Sequence, residues 1–85
     1  MTLDLDFPTI VGLVGSGLMM VAFAYSNLAT VVNLVLFNLL NLIGAILLGW
    51  SLTIHFNMAS LVLEIVWAAI ALFGLIKALV LRSRA

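Results

Sequence analysis

The chain has 85 residues, of which 67% are hydrophobic and only 7% are charged. Soluble domains carry about 25% charged residues, so this composition predicts an integral membrane protein whose main partner is the lipid bilayer. The formal net charge is zero and there is no basic stripe, which argues against a nucleic-acid partner. The chain has no cysteine, which excludes disulfides and thiolate metal sites.

Three apolar stretches are each long enough to cross a bilayer, which takes about 20 residues. They cover about 9–28, 33–54 and 58–81, so residues 1–85 are expected to form one transmembrane domain. Pro8 stands where the first turn of a helix tolerates proline. The sequence predicts an all-α bundle of three transmembrane helices. Because the first connection is short and still apolar, two long spans with one broken helix remain an alternative.

The charged residues predict an orientation. The basic residues Lys77, Arg82 and Arg84 all lie near the C-terminus, and neither connection carries a basic residue. The positive-inside rule then places the C-terminus in the cytoplasm and, with three spans, the N-terminus outside. The second connection, with His55, faces outside as well. No second histidine or carboxylate stands near His55 at ligand spacing, so no metal site is predicted.

Each predicted helix gathers small residues on one face at 100° per residue. Small residues let helix backbones approach closely in lipid, so these faces are expected to contact protein while bulky aliphatic faces contact lipid. The residues expected to pack between helices are Gly12, Gly15, Ala45, Gly49, Ala71 and Gly74.

Glu64 is the only acidic residue of the apolar stretch 61–76. It lies roughly 9 Å inside the third span, at 1.5 Å per residue, where inserting a carboxylate costs roughly 2.5–3.5 kcal/mol. Trp67 shares its face, because residues three apart are neighbours on a helix. Two interpretations stay open. Glu64 either forms a structural hydrogen bond with a neighbouring asparagine, or belongs to a ligand or proton site with Trp67.

Asn38 and Asn41 form an amide-rich stripe on the second helix, the only one at membrane depth. The predicted substrate-binding residues are therefore Asn38, Asn41, Glu64 and Trp67. The sequence has no nucleophile with a basic partner, no HExxH and no phosphate-binding glycine loop. We therefore expect neither an enzyme nor a cofactor.

Several short motifs resemble those of a family of small three-helix bacterial integral membrane proteins, some described as permease-like. The resemblance rests on NLLNLIGA at 38–45, FNMAS at 56–60, EIVW at 64–67 and LFG at 72–74. It covers nearly the whole chain and implies a location in the bacterial inner membrane.

The length and three-helix plan are also similar to the SemiSWEET sugar transporters, in which two three-helix units form one transporter. In that family, a tryptophan and an asparagine of the two later helices line the site. Here Trp50 and Glu64 fall at loosely comparable places. The proline-glutamine motif of the first SemiSWEET helix is missing, since Pro8 precedes Thr9.

Two functions follow from these observations as hypotheses. The first is a small-solute transporter built as a parallel homodimer, whose polar stripes face a central cavity. The second is a structural or accessory subunit that docks its small-residue faces against a larger membrane complex. The transporter is the leading hypothesis, and the very low polar content and the near absence of loops support the second.

Overall fold

Three α-helices form the part of the chain that the computed structural model describes, residues 5–83; residues 1–4, Arg84 and Ala85 lie outside it. They are α1 (Phe7–Leu28), α2 (Leu34–Ile54) and α3 (Met58–Ser83), and residues 5–83 contain no strand. All three are long and apolar enough to cross a membrane. The prediction of an all-α fold with three such helices is therefore confirmed.

Each helix is preceded by a polar residue whose side chain caps its first turn. The Asp6 carboxylate accepts a hydrogen bond from the backbone N–H of Thr9 at 2.9 Å. The Asn33 side chain accepts two backbone N–H bonds at the start of α2. Asn57 Oδ1 accepts the backbone N–H of Ser60 at 3.1 Å. Such caps satisfy donors that the helix itself leaves unpaired, and they fix the helix starts.

Helix α2 lies between the other two, and α1 does not contact α3 within the described residues. The α1–α2 interface is built on glycine. A Cβ at Gly15 would lie 2.6 Å from the carbonyl oxygen of Gly44, and one at Gly44 would lie 2.6 Å from that of Gly15. A Cβ at Gly12 would lie 2.7 Å from Ser51 Oγ. The two backbones are therefore too close for any side chain at Gly15 or Gly44.

The buried apolar side chains of the chain are mostly alanines. Ala22, Ala45, Ala71 and Ala78 are buried, whereas large aliphatic and aromatic residues are exposed along all three helices. Close packing through small residues, with bulky residues outside, is the arrangement expected of helices in lipid. Gly49 departs from the expected packing, since nothing among the described residues lies within 4 Å of a Cβ there.

The position of Gly49 on α2 explains why it does not contact α1. It follows Gly44 by five residues, which places it about 140° around the helix from the face that contacts α1. Gly49 therefore does not face α1; it lies about 20° around the helix from Asn38, on the side of α2 that faces α3, but no described atom lies within 4 Å of a Cβ there.

Candidate functional site

The Trp67 indole and the Asn41 amide join α3 to α2 through a hydrogen bond. Trp67 Nε1 donates to Asn41 Oδ1 at 3.0 Å, and Asn41 Nδ2 donates to the backbone carbonyl of Phe37 at 2.9 Å. Asn41 is 5% exposed. A buried amide of this kind needs both kinds of partner, and here a tryptophan and the helix backbone supply them.

Asn38 lies one turn before Asn41 on α2 and faces Gly74 on α3. Its Nδ2 donates to the Leu34 carbonyl at 2.8 Å. A Cβ at Gly74 would overlap Asn38 Oδ1 and lie 2.8 Å from Asn38 Cγ. Gly74 therefore leaves room for the amide, and the small residue and the polar residue are complementary across the α2–α3 interface.

A cavity of about 220 Å³ lies between α2 and α3 next to these amides. We call it the α2–α3 groove. Its lining residues are Phe37, Asn38, Asn41, Trp67, Ile70 and Ala71. The lining combines two amides with aromatic and aliphatic side chains, and it carries no charge. Three of the four predicted binding residues thus line one cavity.

Glu64, the fourth predicted residue, does not line this groove. Its side chain is nevertheless buried, with 6% of the residue exposed. Glu64 Oε2 has no hydrogen-bond partner within residues 5–83. A buried polar atom without a partner is costly, so this atom is a site where a proton, a cation or a hydrogen-bond donor would bind favourably.

Asn38 and Asn41 are not the partners of Glu64 that the sequence suggested. Gly74 faces Asn38, and α3 runs antiparallel to α2. Counting back at 1.5 Å per residue puts Glu64 roughly 15 Å from the level of Asn38 and roughly 10 Å from that of Asn41. An amide cannot span that distance. Asn41 bonds Trp67 instead.

A second polar contact lies at the end of the bundle where α1 begins and α2 ends. His55 Nε2 lies 2.9 Å from Asp6 Oδ2 and 3.1 Å from Oδ1. Hydrogen bonds from Thr9, through its side chain first and its backbone second, and then from His55 lower the pKa of Asp6 from 3.8 to about 2. The contact ties the first helix to the second connection.

Sequence reasoning missed this contact because the two residues are 49 positions apart. One signal could have found it. With three alternating helices, the residue before α1 and the residue after α2 come to the same end of the bundle, and both of these residues are polar.

The comparisons with known proteins give one positive result. Searches of curated proteins and of solved structures found no significant match. A protein-family model, in contrast, matches residues 8–83, which is nearly the whole chain. The chain therefore belongs to that family, which is uncharacterised.

Proposed function

We propose that the protein is a small-solute membrane transporter that works as a parallel homodimer of three-helix units. The observation that carries the proposal is the α2–α3 groove, in which Asn38, Asn41 and Trp67 meet around about 220 Å³. Ligand sites are mostly apolar clefts with a few placed polar groups. The groove has this composition, within helices that can cross a membrane.

A second copy would supply the wall that a single chain lacks. Only α2 and α3 line the groove, and α1 does not reach α3 in the described residues. In a parallel pair related by an axis along the membrane normal, two grooves would face a shared path. Rocking one unit against the other would then expose the solute to each side in turn.

Glu64 has a separate role in this proposal. It is buried, unpartnered within residues 5–83 and outside the groove lining. Intramembrane carboxyl groups commonly mark proton or ion pathways. Glu64 would take up a proton or a small cation, or accept a hydrogen bond from the solute, as one unit moves against the other.

The structure also offers support for an accessory subunit. Glu64 is covered by its own chain, and the α1–α2 interface is closely packed. Neither feature requires a solute path, so both are compatible with a subunit that only docks against a larger complex. The proteins that bind this chain in the membrane distinguish the two functions. The native protein should therefore be purified in mild detergent and the proteins that co-purify with it identified.

The transport proposal is tested with purified protein in proteoliposomes that contain a pH-sensitive dye. We expect a homodimer by light scattering, and solute-dependent proton movement that Glu64→Gln abolishes without loss of folded protein. Asp6→Asn is the matched control, because it removes a carboxylate outside the spans. A monomer that co-purifies with unrelated membrane proteins and moves no solute would support the accessory role instead.

We also propose the bacterial inner membrane as its location, with the N-terminus outside and the C-terminus in the cytoplasm. Lys77 and Arg82 lie in the last part of α3, and cytoplasmic ends of spans are enriched in such residues. A reporter fused after Ala85 should be active in the cytoplasm. Periplasmic activity of the fusion would reverse the proposed orientation.

A further inference from the structure

The hydrogen-bonding groups of the α2–α3 groove are mostly occupied within the chain. The Trp67 N–H is used by Asn41 Oδ1, and each asparagine uses one amide N–H on a backbone carbonyl one turn earlier. An amide nitrogen carries two N–H donors. One N–H each of Asn38 and Asn41 therefore meets no acceptor within residues 5–83.

The size of the groove limits what can occupy it. An engineered apolar cavity of about 150 Å³ holds benzene, and the groove has about 220 Å³. It therefore has room for a six-membered ring with a short substituent. The Trp67 and Phe37 side chains in the lining suit a planar ring, because aromatic rings favour stacked and edge-to-face contacts.

The chemistry of the lining excludes two other classes of solute. A sugar carries several hydroxyl groups, and burying each without a partner is costly; two spare N–H groups and Asn38 Oδ1, which accepts no hydrogen bond within residues 5–83, are too few to satisfy them. An ion would find no opposite charge, because no charged side chain is among the lining residues. A lipid acyl chain would fit the apolar walls but leave the spare amide N–H groups unpaired.

We infer that the α2–α3 groove binds small, neutral, planar molecules that carry a hydrogen-bond acceptor such as a carbonyl oxygen. The ring packs against Trp67 and Ile70, and the carbonyl accepts the spare N–H of Asn38 or Asn41. The inference deepens the proposed function and rests on it only in taking this groove as the solute site.

The test uses acetophenone, a planar ring with one carbonyl, as the probe. Trp67 becomes the single tryptophan in the Trp50→Phe variant, since the chain has two. Acetophenone should quench its fluorescence saturably in detergent. Ethylbenzene has a similar size and no acceptor, so it should compete at least about fivefold more weakly, as the loss of one hydrogen bond implies. Glucose should not compete.

Two variants separate groove binding from partitioning into detergent. Ile70→Phe puts a larger ring against the groove from a position that is 64% exposed and adds no second tryptophan, so it should fold normally and abolish saturable quenching. Asn38→Leu removes a donor at similar size. It should weaken the binding of acetophenone about fivefold and leave the binding of ethylbenzene unchanged. If acetophenone and ethylbenzene bound equally well, and Asn38→Leu changed neither affinity, the groove would be one for acyl chains and the inference would be overturned.

Uptake measurements keep this inference distinguishable from the transport proposal. Carbonyl-selective binding without any uptake in proteoliposomes would support the inference and contradict transport. Uptake of a different solute, with no saturable acetophenone binding, would support transport and overturn the inference.

Discussion

The α1–α2 and α2–α3 interfaces share the same central helix but are built from different side chains. Between α1 and α2, Gly15 and Gly44 bring the two backbones into contact. Between α2 and α3, Trp67 bonds Asn41, Glu64 is buried, and a cavity of about 220 Å³ remains. The first interface has its backbones in close contact at Gly15 and Gly44, whereas the second contains a cavity and an unpaired polar atom.

This difference indicates that the α1–α2 interface mainly stabilises the protein, whereas the α2–α3 interface contains the candidate site. Helices in lipid gain stability from close packing of small residues, and the glycines of α1 and α2 provide it. Buried polar groups without partners reduce stability and are typical of functional sites. The α2–α3 interface contains such a group in Glu64, so removing its carboxylate should have the opposite effect on stability from overpacking the α1–α2 interface.

The largest expected effect is at the α1–α2 interface. Gly15→Leu should destabilise the protein by about 3 kcal/mol, the upper end of the usual range for overpacking. The reason is that its Cβ would lie 2.6 Å and 2.8 Å from backbone atoms of Gly44 and Leu48. Backbone atoms cannot move aside as a side chain can. Denaturation in mixed micelles would measure the change.

Gly17→Leu is the matched control on the same helix. A Cβ at Gly17 has no described atom within 4 Å, so this variant should change stability little. Equal stability of the two variants would show that the Gly15 face of α1 does not contact α2.

The second effect should have the opposite sign. Glu64→Leu removes a buried oxygen that has no partner within residues 5–83, and such groups cost about 1–3 kcal/mol. We expect the variant to be more stable than the parent by about 1 kcal/mol and to lose any solute uptake. Glu64→Gln should fold normally and lose any pH-dependent uptake. A destabilised Glu64→Leu variant with intact uptake in Glu64→Gln would make the residue structural.

These two predictions show what the sequence could and could not reveal. Hydropathy gave three helices, because length and apolar character suffice to define a span. Periodicity placed Glu64 and Trp67 on one face, but it cannot say which neighbour each meets. That depends on axial level and rotation, so Trp67 reaches Asn41 while Glu64 does not. The same limit explains Gly49, which lies on a small-residue stripe but contacts no neighbouring helix.

A smaller effect should come from the Trp67–Asn41 hydrogen bond. Trp67→Phe keeps an aromatic ring and removes the donor, so the Asn41 oxygen loses its partner from α3. Interhelical hydrogen bonds in membrane proteins average about 0.6 kcal/mol, and we expect a coupling of that size in a double-mutant cycle with Asn41→Leu. Trp50→Phe, at an exposed position, is the control. No measurable coupling would mean that the bond contributes only orientation.

The smallest effect is expected at the exposed Asp6–His55 contact, which belongs to neither interface. The pKa of Asp6 is lowered from 3.8 to about 2 in the folded protein, so its contribution to stability is present above pH 3.8 and is lost as the pH falls towards 2. Surface pairs of this kind contribute little.

The Asp6→Asn variant isolates this contribution, because asparagine is also a good helix cap. The melting temperature of the parent protein should exceed that of Asp6→Asn by a constant small margin between pH 4 and 5, and the margin should shrink towards pH 2. Because the hydrogen bonds from Thr9 are the leading cause of the lowered pKa, His55→Gln should retain most of this pH dependence. A margin that disappears in His55→Gln would instead identify the histidine as the main partner and make the contact between α1 and the second connection the stronger one.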